Sequence, residues 1–180
     1  MISEDKHDKR DKRDKKEAFE RSKRSLALKP SMGLKTATCK VRIVDGYTCE
    51  VEEGRWKLVA DLSEKVGGNG RGPDSSLLVR AAFGSCAAIG YVQWAAVFGI
   101  QLSSVEVVVE TDHDYGGYYD TNDSPPGPTE VRYKVIVESD ASEPEIIALI
   151  DKADKHSPLH DLFARAIPLK REIKINPKDD

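Results

Sequence analysis

Apolar and polar positions change their period along this chain, and each change marks an element. From Lys35, the residues Ala37, Cys39, Val41 and Ile43 alternate with Thr36, Thr38, Lys40, Arg42 and Val44. A period of two predicts a half-buried strand, ending at the turn Asp45-Gly46. Tyr47 to Glu52 predicts a second short strand, and Glu53-Gly54 a turn leading into Trp56, Leu58 and Ala60. Together these make an antiparallel meander with one apolar face.

Further on the apolar pattern becomes nearly continuous. Ser75 to Phe98, SSLLVRAAFGSCAAIGYVQWAAVF, is dominated by leucine and alanine and predicts a long helix buried on nearly every side. Either serine could cap its start, Asp74 adds negative charge at the positive helix end, and Gly99 ends it. Such a helix is roughly 35 Å long, and its small residues let another helix approach closely. Leu102 to Glu110 and Glu130 to Glu138 alternate again and predict two strands that pair. The polar stretch between them is irregular, and its tyrosines could cover a cleft. A helix then starts at Ala141 or Ser142, with Pro144 in its first turn and an apolar stripe of Ile146, Leu149, Ile150 and Ala153. Ser157-Pro158 interrupts it, Leu159 to Arg165 resumes as a short helix, and Leu169 to Ile175 predicts a closing strand. Two strand groups around two helices give an α+β domain over residues 35–175, followed by a polar tail at 176–180.

Residues 1–24 interleave acidic and basic side chains, with Phe19 as almost their only anchor, and read as a disordered or solvated helical arm. Acidic residues between the basic ones weaken any attraction to phosphates. Overall, 28 Lys and Arg face 31 Asp and Glu, a net charge of -3. That balance gives no global field for nucleic acid or an anionic membrane, so the expected partner is a small molecule or another protein. The N-terminus lacks the apolar segment of a secretory signal, and no stretch looks apolar for long enough to cross a bilayer. The expected location is the cytoplasm.

Candidate chemistry is sparse. Lys65 to Pro73, KVGGNGRGP, is a mobile or tightly turned loop that lacks the lysine and Ser/Thr of a phosphate cradle, so no nucleotide cofactor is expected. Cys39, Cys49 and Cys86 form no CxxC pair and are expected as free thiols. Cys86, mid-helix in GSCAAIG, is the first candidate nucleophile; the alternative is a small core residue. Its activation needs a group from elsewhere, for which Arg71 in the glycine loop and Arg80 are the available cations. His156 and His160 could share a face but lack an obvious third metal ligand, Asp154 and Asp161 being near only in sequence. His113 with Asp112 and Asp114 could bind a cation or simply form a turn. No resident metal is expected.

The order GP-D-SSLLVRAAFGSCAA, a strand, then DKADKHSPLHDLF before a final strand resembles the OsmC/Ohr superfamily of osmotically inducible and organic-hydroperoxide-resistance proteins. The resemblance runs from about Lys35 to Ile175. It implies an intertwined homodimer, with antiparallel sheets wrapped around long central helices, and a stress-response role in reducing organic hydroperoxides. In active members a peroxidatic cysteine becomes a sulfenate and is captured by a resolving cysteine, while an arginine and a glutamate hold thiolate and peroxide. Cys86 matches the peroxidatic cysteine. Ser157 stands where the resolving cysteine precedes proline, Leu77 stands at the glutamate's position, and LVADLSEKVGG has no arginine at the expected distance. Reduction of an oxidised Cys86 then requires an external thiol, or Cys39 or Cys49. The residues expected to line the site are Arg71, Leu77, His156, Ser157 and His160. The competing expectation is a non-enzymatic dimer that binds a small apolar ligand in the same pocket.

Overall fold

The computed structural model describes residues 2–175 of the chain, with side chains from residue 15 onward; the polar tail at 176–180 lies outside the described residues. Alternation around residues 40–60 folds as three antiparallel strands, β1 (Lys40–Asp45), β2 (Thr48–Glu53) and β3 (Trp56–Ala60), in the order β1-β2-β3. The register sets Val41 opposite Val51 and Ile43 opposite Cys49, and then Val51 opposite Leu58. One face is therefore apolar. The other carries the Arg42–Glu50 and Lys57–Glu52 ion pairs. Among the described residues no layer covers the apolar face: Val41, Ile43 and Leu58 are all more than half exposed, and Trp56 is 65% exposed.

Helix α1 (Ile2–Leu28) precedes the meander and lies on α2 (Ser75–Phe98), where Phe19 meets Trp94 edge-on with ring centroids 5.2 Å apart. Asp74 itself caps α2, its carboxylate accepting from the Leu77 N–H at 2.7 Å, and Gly99 closes the helix. Strands β4 (Ser104–His113) and β5 (Pro128–Glu138) pair antiparallel, with Val105 opposite Val137, Val107 opposite Val135 and Val109 opposite Tyr133. Between them sits the short α3 (Tyr115–Tyr118). Helix α4 (Glu143–Asp154) starts at the Ser142–Glu145 capping box, and α5 (Pro158–Ala164) follows. The buried core is Ala87, Tyr91 and Ala95 of α2 with Leu149 and Ala153 of α4, closed by the inward valines of β4 and β5.

Three expectations need correction. Helix α2 is buried along a stripe rather than all round; Ile89, for instance, is 67% exposed, because a single chain has too few layers to surround it. By length and composition α2 is also long and apolar enough to cross a membrane, since its small polar residues dilute its hydropathy little and Arg80 is its only charge. Residues 169–175 form no strand, and Leu169 is 97% exposed. Alternation makes a strand only when a neighbouring edge offers hydrogen bonds, and here none is paired with it.

Candidate functional site

Small residues on α2 lie where other elements come close. A Cβ at Gly84 would lie 3.2 Å from a Val109 methyl on β4, and one at Gly90 would lie 4.0 Å from Ala153 Cβ on α4. Helical spacing puts Phe83, Cys86, Ala87, Gly90 and Tyr91 toward α4 and α5. Cys86 is half-buried there, with its Sγ 3.7 Å from Ser157 Oγ. Ser157 is the N-cap of α5 and accepts the His160 backbone N–H at 3.3 Å. That bond occupies a lone pair, so the hydroxyl proton is free to point at sulfur. Toward a thiolate, which carries no proton, Ser157 can only be the donor.

A polar cluster adjoins this pair. Tyr91 Oη donates to Asp154 Oδ1 and Tyr133 Oη donates to Asp154 Oδ2, each at 2.8 Å. His160 Nε2 lies 2.9 Å from Tyr133 Oη and 3.8 Å from Asp154 Oδ1. The Phe83 ring stacks on His160 with centroids 5.3 Å apart and meets Tyr133 edge-on at 5.2 Å. Burial and the adjoining Asp154 carboxylate push the Tyr91 phenol far up, and push Tyr133 up to about 12. Both therefore keep their protons at neutral pH.

Of the residues expected to line a site, Ser157 meets Cys86, and His160 stands one step removed, its backbone N–H on Ser157 and its ring in the adjoining polar cluster. His156 turns away: its Nδ1 donates to the Lys152 carbonyl at 2.8 Å and its ring packs on Trp94, so it does not converge with His160. Leu77 and Arg80 line a separate hollow of about 340 Å³ with Gly84, Ser85, Val107 and Val109. Nine residues from Cys86 is about two and a half turns, so Leu77 points to the opposite side of α2. Arg80 donates to Thr111 Oγ1 at 3.2 Å. Arg71 pairs with Asp45 at 3.1 Å beside the β1–β2 turn, and the polar atom at Cys86 is thus a hydroxyl rather than a guanidinium. Cys39 and Cys49 are free thiols at the meander. Asp112 pairs with Arg132, and Asp114 accepts from Gly116, Asn122 and Ser124.

The glycine loop is pinned. Buried Asp61 accepts from the Thr48 hydroxyl at 2.7 Å and from the N–H groups of Leu62, Asn69 and Arg71. A Cβ at Gly68 would fall 2.0 Å from the Leu62 carbonyl oxygen, and one at Gly72 2.4 Å from that of Val59, so only glycine fits this path. Tyr91 and Tyr133 were not singled out from the sequence, and Asp154 only as a metal candidate. A signal existed for Tyr133, which shares the inward face of β5 with Val131 and Val135 and so must find a buried partner for its hydroxyl.

Comparison with known proteins gives consistent results. A family model described as OsmC-like protein matches residues 67–172. Among solved structures, an OsmC-like protein from Mycoplasma pneumoniae is 16% identical, with a TM-score of 0.63 over 72% of this chain and 88% of that one. An organic hydroperoxide resistance protein from Legionella pneumophila is 20% identical, with a TM-score of 0.53 over 72% and 90%. An OsmC-like protein of unknown function from Vibrio cholerae is 12% identical, with a TM-score of 0.56 over 72% and 94%. No curated protein sequence matches. These structural likenesses carry the fold, and the family model spans the glycine loop, α2 with Cys86 and the α4–α5 turn with Ser157: the chain belongs to the OsmC-like protein family.

Proposed function

We propose that this protein reduces organic hydroperoxides with Cys86 as nucleophile and an external thiol as reductant, working as a cytoplasmic homodimer. The observation that carries the reading is the half-buried Cys86 sulfur with a hydroxyl donor 3.7 Å away, in a family that includes hydroperoxide-resistance proteins. The Cys86 thiolate attacks the distal peroxide oxygen, the O–O bond breaks, and the alkoxide takes a proton to leave as alcohol. Cys86 is left as sulfenic acid. One external thiol condenses with it, releasing water and forming a mixed disulfide. A second thiol attacks that disulfide, restores the Cys86 thiol and leaves as the oxidised reductant. Ser157 cannot form a disulfide, and Cys39 and Cys49 belong to the meander, so the chain itself supplies no obvious resolving thiol. The test is intact-mass detection of a dimedone adduct after cumene hydroperoxide treatment. One adduct, lost in Cys86→Ser, is expected; no adduct on the native chain sinks the reading.

A groove between α1 and α2, whose lining does not include Cys86, favours a second reading, a non-enzymatic binder of a small apolar molecule at a site apart from the pocket expected at the cysteine. It measures about 1010 Å³ and is walled by Phe19, Leu26, Ile89, Val92, Ile100 and Leu102. Binding of a fluorescent apolar probe that is unaffected by Cys86→Ser, with no turnover, would support this reading over the first.

A further inference from the structure

We infer that Tyr91, Tyr133, Asp154 and His160 are positioning residues that lock the α4–α5 turn to α2 and β5, and so aim the Ser157 hydroxyl at the Cys86 sulfur. The inference rests on Cys86 being the reactive group and deepens the reading above.

Proton bookkeeping fixes the direction of each link. Each tyrosine has one hydroxyl proton, and both protons go to Asp154, one to each carboxylate oxygen. Tyr133 Oη is left with lone pairs only, so His160 Nε2 must carry a proton and donate it there. The links run from His160 through Tyr133 to Asp154, with Tyr91 arriving from the other side. In this arrangement Asp154 accepts at both carboxylate oxygens. Asp154 ends α4 and His160 lies in α5, so the cluster brackets Ser157 in the chain. Tyr91 ties one side to the helix that bears Cys86, and Tyr133 ties the other to β5. Phe83, one turn before Cys86, stacks on His160 and fixes the plane of its ring. Asp151, also on α4, adds negative charge near Tyr133, whereas Lys152 and His156 lie against Trp94 and Arg80 meets Thr111. The His160 backbone N–H holds the Ser157 oxygen in place, and the cluster holds the turn that carries both residues from two elements.

The experiment uses the full chain with Cys39 and Cys49 replaced by serine. It reads the rate of Cys86 alkylation by iodoacetamide at pH 7 and, separately, of sulfenate formation with cumene hydroperoxide. Ser157→Ala should slow alkylation about tenfold, the loss expected for one hydrogen bond to a charged group. Ser157→Thr should restore most of the rate. Tyr133→Phe and Asp154→Asn should slow it several-fold alone, yet add nothing in the Ser157→Ala background. A general loss of packing would slow both backgrounds alike, and that result overturns the inference, as does an unchanged rate in Ser157→Ala. Should Tyr133→Phe fail to fold, His160→Gln, which can still donate toward Tyr133, is expected to keep the rate that His160→Phe loses; equal rates overturn the inference. Alkylation needs no peroxide, so a chain that alkylates as expected but forms no sulfenate refutes the hydroperoxide reading and leaves the positioning cluster intact.

Discussion

Asp61 shows how a single side chain can hold a loop. Burial alone pushes its carboxyl up, but the Thr48 hydroxyl and the N–H groups of Arg71, Asn69 and Leu62 outweigh this and hold it below the usual carboxylate range. The unfolded chain has its carboxyl near pH 3.9, so the contribution of Asp61 is complete above that value. It is lost as pH falls through the lower folded value. Amide exchange at Asn69 and Arg71 is expected to accelerate, beyond its intrinsic pH dependence, only below about pH 4, and Asp61→Asn should abolish that step. Hydrogen–deuterium exchange read by mass spectrometry measures both. At this scale the sequence disclosed single residues better than their partnerships. Cys86 and Ser157 stood out through local motif and family order, and the structure does bring them together. Arg71 was a candidate only because it precedes α2, but the pinned loop turns it to Asp45. Asp154 and the two tyrosines come from three elements, and no local pattern announces a hydrogen bond across 63 positions.

Among the elements, the span of α2 was legible because its ends are chemically marked, although the cap expected at a serine falls on Asp74. Asp74 supplies the cap and Gly99 the stop, and the span Ser75–Phe98 follows. Removing the cap through Asp74→Ala is expected to cost about 1 kcal/mol. That should lower the thermal midpoint by roughly 2–4 °C in calorimetry. The same change should leave Cys86 alkylation unaffected, since Asp74 lies more than three turns away. Residues 169–175 were misread because alternation reports only which face is apolar. Whether a free sheet edge lies alongside is a property of the rest of the fold.

At the level of the whole molecule, the meander, the outer side of α2 and residues 169–175 all leave apolar side chains uncovered. Exposed apolar surface of this extent marks an association surface, and a second copy of the chain is the proposed cover. Leu58→Lys places a charge in the middle of the meander's apolar face; sedimentation should show the native chain as a dimer and this variant as a monomer. A native chain that sediments as a monomer at micromolar concentration would leave the homodimer without support. The Asp61 N–H also donates to the carbonyl of Pro73 at 3.1 Å, directly before the cap of α2. Through that bond and the pinned glycine path, the meander is joined to the start of α2 by a brace rather than a hinge. Displacing the three-stranded sheet would therefore pull first on the capped start of the helix that carries Cys86.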